Sequence, residues 1–200
     1  MKIITTLFIL FLFATAFAQE KTDSVRIHFL YGSKPAPGYK KTEQKVFGGK
    51  RGGHVTIEVR GVNFGLNPSD RLHIFSHKKH KHGVYDAEPI KSWLRDTAGK
   101  KYTTVTIPVT KKQLSVITDT VISYTRRTPY DYAFLGMRCA SSLYDVISIG
   151  GIVKRHSRCW MVYRIFYVKP LRRRIFKMAE KQGWKVVRQP GKVSRKWEKG

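Results

Sequence analysis

The sequence predicts an α+β domain in which an antiparallel sheet packs against two helices, at 111–125 and 139–149. Three observations predict it. Segments 25–31, 54–59 and 102–109 are short, β-rich runs, the first and last alternating at the strand period. Arg60-Gly61 lies between the second run and the apolar segment 62–66, as a hairpin turn would. Two later stretches change to the helical period, first Leu114, Ile117 and Val121, then Leu143, Val146, Ile147 and Ile149.

The chain opens with the pattern of an export signal. Lys2 supplies the positive end, 3–13 is apolar, and Ala16-Phe17-Ala18 is a small-x-small cleavage site, so the mature chain is expected to start at Gln19. The apolar run is too short to cross a bilayer comfortably. No cysteine follows the cleavage site, which argues against a bacterial-type lipid anchor. A secreted or periplasmic protein without a transmembrane span after signal removal is expected. Residues 19–188 form one domain, and 189–200 are a basic flexible tail.

The charge is one-sided. Lys and Arg number 39 against 13 Asp and Glu, a formal +26, and only Lys2 of these lies in the leader. Such a surface attracts polyanions. Export makes nucleic acid an unexpected partner and points to an anionic cell-envelope component.

Within the domain, 25–31 is a strand in which His28 is structural. Residues 32–50 are a Gly-, Pro- and Lys-rich loop. A two-residue turn at Arg60-Gly61 sets Val59 opposite Val62, Asn63 opposite Glu58 and Asn67 opposite His54. His54, Thr56 and Glu58 then share a face with Asn63 and Asn67. Residues 71–76 read as a strand carrying His73. The run 77–82, H-K-K-H-K-H, reads as a solvated basic turn: a metal site would need several of His73, His77, His80 and His82 to converge, and the lysines would repel the cation. No metal and no cofactor are expected. Residues 84–100 are mixed, with Trp93-Leu94 on a short helix. Pro108 marks the 102–109 strand as an edge or an end. Thr110 and Gln113 have the spacing of a capping box, and the helix they open ends near Thr125. Residues 158–168 read as an aromatic-rich strand or loop, Pro170 opens a last helix that Gly183 closes, and 184–187 is a final strand.

The segment 128–150 organises the rest. Thr128-Pro129 turns the chain, Tyr130, Tyr132 and Phe134 cluster, and Cys139 begins a helix whose first turn holds Ala140, Ser141 and Ser142. A thiol at a helix N-terminus sits among unpaired N–H groups, which favours its thiolate. Two other readings of Cys139 stand beside this one: a small buried apolar residue, or half of a disulfide with Cys159, the second cysteine. A nucleophilic thiol needs a base and a group that orients the base. His54 on a strand, with asparagines on the neighbouring strand, completes that inventory.

The order of these motifs resembles the circularly permuted branch of the NlpC-type papain-like superfamily, related to the lecithin:retinol acyltransferase-like proteins. Gly53-His54-Val55-Thr56-Ile57 matches a G-H-V-x-I strand that precedes the cysteine. Ile107-Pro108-Val109, the helix from Lys111, Tyr130-Asp131-Tyr132 and Cys139 follow in the family's order, over roughly residues 50–150. The resemblance implies a papain-like fold, with Cys139 as nucleophile, His54 as general base and Asn63, by position, as the third member. Asn67 and His73 remain open for that place. Tyr130, Asp131 and Arg138 are the expected substrate contacts. Arg138 and Ala140 flank the cysteine, where many relatives have Asn or Tyr before it. The implied activity is that of a cysteine peptidase or amidase: acyl transfer to water from an amide or ester in envelope peptide or lipid. The alternative is a non-catalytic basic envelope protein on the same scaffold that binds anionic glycan or lipid.

Overall fold

A computed structural model describes residues 23–32, 53–69, 73–79, 81–191. The expected export signal, nearly all of the expected 32–50 loop, Arg71, His80 and most of the expected basic tail lie outside them. The fold is α+β. Six strands form one antiparallel sheet in the order β5-β3-β2-β1-β6-β8: β1 Asp23–Tyr31, β2 Gly53–Val59, β3 Val62–Pro68, β5 Gly83–Pro89, β6 Tyr102–Val109 and β8 Lys185–Gln189. β4 His73–Phe75 and β7 Ala133–Leu135 form a separate parallel pair. The helices are α1 Ile90–Asp96, α2 Lys111–Arg126, α3 Cys139–Ile149, α4 Arg158–Arg164 and α5 Val168–Gln182.

Alternation along the strands sorts the two faces of the sheet. Val25, Ile27 and Phe29 of β1, Val55, Ile57 and Val59 of β2, and Val105, Ile107 and Val109 of β6 are all buried. They join one core with Leu114, Ile117 and Val121 of α2, Val146 and Ile147 of α3, and Leu171 and Ile175 of α5. α3 is buried nearly throughout, from Cys139 to Ser148. Such a helix is held by its surroundings on every side, which gives the thiol at its start a fixed position. The capping box at α2 is formed, with Thr110 Oγ1 accepting from the Gln113 N–H and Gln113 Oε1 from the Thr110 N–H.

On the other face β1 and β2 carry a buried polar cluster. His28 places Nδ1 2.9 Å from Thr104 Oγ1 and Nε2 3.1 Å from Glu58 Oε2, and its ring lies 4.5 Å from that of Trp93. Arg26 Nη1 donates to Glu58 Oε1 at 2.6 Å. Burial opposes the ionisation of Glu58, but the His28 hydrogen bond and the Arg26 charge outweigh it and hold the carboxyl below 4.5. A depressed carboxyl stabilises the fold above its unfolded value and ceases to do so as pH falls through its folded value. Thermal melts below about pH 4.5 are therefore expected to lose stability more steeply in the native protein than in Glu58→Gln.

Three segments depart from the sequence reading. Residues 83–89 form a full strand, β5, which runs antiparallel to β3 from Val62↔Pro89 to Pro68↔Gly83. Residues 158–164 form a helix, not a strand, because Ser157 caps it by accepting from the Trp160 N–H at 3.3 Å. The histidine turn keeps its lysines exposed, as expected, but its backbone is also tied to Asp131, which the sequence did not show. His73 Nδ1 lies 2.6 Å from Asp131 Oδ2, the His77 and His82 N–H groups donate to the same carboxylate at 2.8 and 2.7 Å, and the His73 ring packs against those of His77 and His82. Among the described residues no group of His, Cys, Asp or Glu is arranged to hold a metal, and no helix is long and apolar enough to cross a membrane.

Candidate active site at the start of α3

Near its turn the β2–β3 hairpin has the expected register, with Val59 opposite Val62 and Asn63 opposite Glu58, but the expected Asn67–His54 pair is not formed: Asn67 stands opposite Val84 of β5. The hairpin ladder stops at Ile57↔Phe64, although β3 continues against β5 to Pro68. Beyond Ile57 the β2 backbone thus has one side free of β3. The first turn of α3 meets the sheet there, and the Val55 N–H faces the Cys139 sulfur, whose ionisation it favours. The interrupted ladder thus leaves a backbone donor for the thiol.

His54 precedes Val55 and brings its imidazole within hydrogen-bonding reach of the same sulfur. Gly53 fixes how the strand arrives at this point. Its φ is +119°, and a Cβ there would lie 2.3 Å from the Leu30 carbonyl oxygen, so only glycine fits. A second glycine seats the ring itself. A methyl group on Gly65 would lie 2.9 Å from Thr56 Cγ2 and 3.3 Å from His54 Nε2. Gly65→Ala is expected to push the imidazole off the sulfur while leaving the fold intact. The check is thiol alkylation as a function of pH, in which the variant should titrate closer to an ordinary cysteine while its melting temperature stays within a few degrees of the parent's.

Burial opposes ionisation of Cys139. The His54 hydrogen bond and charge, the Arg138 charge and the Val55 N–H reverse that, so the thiol lies below its ordinary value of 9.0. Cys139 and Cys159 are both free thiols, the first buried and the second exposed. Of the three readings of Cys139, the disulfide is therefore not the one formed.

Tyr132 lies beside the pair as well, its hydroxyl close enough to Cys139 and Arg138 for both to act on its ionisation. Burial raises the Tyr132 phenol well above its usual range, and the neighbouring sulfur raises it further, so it is a neutral donor. The second tyrosine of Y-D-Y, just ahead of β7, is the one signal the sequence offers for it.

Arg138, immediately before the cysteine, is nine-tenths buried. Its guanidinium carbon lies 4.7 Å from the Phe166 ring centre, 5.6 Å from that of Phe134 and 5.7 Å from that of Tyr167. These contacts favour the cation, and Nη1 has no hydrogen-bond partner.

The other predicted site residues lie elsewhere. Asn63 stands opposite Glu58, four positions along β2 from His54, or about 13 Å at the strand rise. Its Nδ2 reaches Glu88 Oε1 at 3.4 Å. Asn67 donates to Asp86 Oδ2 at 2.9 Å, and His73 is bound to Asp131. Among the described residues the structure brings none of the three to His54. Tyr130 gives its hydroxyl to Asp145, which also accepts from Tyr124 at 3.0 Å. Asp131 has a fully buried side chain that accepts from three donors of the histidine turn. Tyr130 and Asp131 thus anchor the segment that presents Tyr132 and Arg138, and their polar atoms are used inside the protein.

No family model matches this chain, and neither the curated proteins nor the solved structures contain a significant match to it. What the site can do follows from its own atoms: a thiol with a lowered pKa, an imidazole, a neutral phenol and a buried cation meet at a helix N-terminus.

Proposed function

We propose that this protein is a thiol-dependent acyl hydrolase. Within that class we read it as a papain-like enzyme of the permuted NlpC type, acting on an amide or ester bond in anionic cell-envelope peptide or lipid. One observation carries the reading: the Cys139 sulfur is met at once by His54, Tyr132 and the Val55 N–H at the mouth of a buried helix.

The chemistry runs as follows. The Cys139 thiolate attacks the carbonyl carbon, a C–S bond forms, and the carbonyl π pair moves to oxygen. The Tyr132 hydroxyl and the free N–H groups of the first turn of α3 are the donors for that oxyanion. Collapse of the intermediate expels the amine or alcohol, which takes a proton from His54. His54 then removes a proton from water, the hydroxide attacks the thioester, and the thiolate leaves with the acid released. Arg138 holds positive charge beside the sulfur throughout. Its unpartnered Nη1 suits a substrate that carries negative charge near the scissile carbonyl.

The test is labelling of the intact protein with a thiol-reactive acylating probe. Rapid, single-site acylation of Cys139 that is lost in Cys139→Ala and slowed in His54→Ala supports the reading. Acylation of Cys159 alone would remove it. A second reading, a non-catalytic binder of anionic glycan or lipid, is favoured by a basic cleft away from the thiol, lined by Arg164, Arg173, Arg174, Lys177 and Arg188 with Trp160 among them. In that case Cys139→Ala would retain full affinity for the polyanion.

A further inference from the structure

The small β4–β7 pair is an unusual surface for a protein with so large a core. Ile74 and Phe75 are each 65 % exposed and Leu135 is 49 % exposed. Phe75 and Leu135 are register partners across the pair, so their side chains stand next to one another. The turn that follows β4 carries Lys78, Lys79 and Lys81, all exposed. Lys81 Nζ donates to the Thr128 carbonyl at 3.2 Å, which brings the turn to the exposed Arg126-Arg127 at the end of α2. The acid that contacts this turn, Asp131, has its side chain wholly buried and contributes no exposed negative charge. Phe75 and Leu135 thus project together from an anchored platform beside a group of outward cations, with Ile74 exposed on the other face of the pair.

We propose that this platform docks the protein on an anionic lipid surface, with Phe75 and Leu135 entering the headgroup region and Lys78, Lys79 and Lys81 meeting lipid phosphates. Two features choose lipid over a protein partner. Stable protein interfaces bury on the order of 800 Å² per side, more than these side chains supply, whereas an interfacial anchor needs only a small apolar wedge with flanking cations. The formal charge of +26 also favours an anionic layer over a neutral one. The proposal does not depend on the chemistry of Cys139. If that chemistry holds as well, the platform is well placed to serve it, since β7 ends four residues before the nucleophile.

The experiment is sedimentation of the mature chain with vesicles of phosphatidylglycerol and phosphatidylcholine, against vesicles of phosphatidylcholine alone. The native protein is expected to bind the anionic vesicles. Phe75→Ser with Leu135→Ser should weaken binding at least tenfold without changing charge, and Phe75→Trp should retain it. Val187→Ser, which alters a comparably exposed apolar residue on β8, should have no effect. The melting temperature of each variant confirms that it folds. Unchanged binding by the double serine variant would show general attraction of a basic protein and overturn the proposal. So would a dimer in solution that the same variant dissolves, which would assign the platform to a second copy of the chain.

Discussion

His54→Ala is expected to slow turnover of an amide or ester substrate by about 10²–10⁴-fold, the usual contribution of a positioned general base. It removes both the group that receives the thiol proton and the group that protonates the leaving amine or alcohol. The loss should fall on kcat as well as kcat/KM, because the base acts in the transition state and again in deacylation. The same substitution should move the pH midpoint of Cys139 alkylation upward, since the His54 hydrogen bond leads the effects that lower this thiol. Stopped-flow alkylation across pH 5–10 with the protein alone separates the two readouts. An unchanged midpoint, or turnover retained within a few-fold, would exclude His54 as the base.

The second large effect concerns stability. Asp131→Ala leaves the His77 and His82 N–H groups and His73 Nδ1 without their shared acceptor. Leaving these donors without their acceptor costs about 1–3 kcal/mol, which for a chain of this size corresponds to several degrees in Tm. Burial works against the Asp131 charge, yet the His73 hydrogen bond and the two backbone donors hold its carboxyl below the ordinary 3.8. Its stabilising contribution is therefore complete above that value and disappears as pH falls through the lower folded value. Differential scanning calorimetry at neutral pH and near pH 3 should show native and variant curves approaching one another in acid. A variant that melts with the native protein at neutral pH would show that the turn is held by other contacts.

Much of the sheet was legible because its signals are local. The Arg60-Gly61 turn and the flanking β-rich runs fixed the register that sets Asn63 opposite Glu58. Thr110 with Gln113 announced α2, and the spacing of Leu143, Val146 and Ile147 announced α3. β5 was not legible because Asp86 and Glu88 on its exposed side, and the proline that ends it, imitate a loop; its apolar contribution is essentially Tyr85. α4 was misread because Trp160, Val162 and Tyr163 carry β propensity, and one serine cap decided the outcome. In the site, the pairing of His54 with Cys139 came from motif order. Asn63 keeps its expected place opposite Glu58, which is itself four positions along β2 from His54, whereas Asn67 misses its expected place opposite His54 because the β2–β3 ladder ends at Ile57↔Phe64 and Asn67 pairs with Val84 of β5. Tyr132 was hidden because its neighbours Tyr130 and Asp131 carry the same motif and are used as anchors.

The interrupted ladder at Val55 also makes the backbone an indicator of sulfur chemistry. That amide faces the Cys139 sulfur and not a β3 carbonyl, so any event that alters or occupies the sulfur is expected to shift a single peptide resonance of β2. Formation of a thioester, alkylation, or oxidation to a sulfenate would each shift the Val55 ¹H–¹⁵N signal and change its solvent-exchange rate, while the amides of Ile57 and Val59 stay as they are. A spectrum of the isotopically labelled protein would thus follow the occupancy of the nucleophile without a chromogenic substrate.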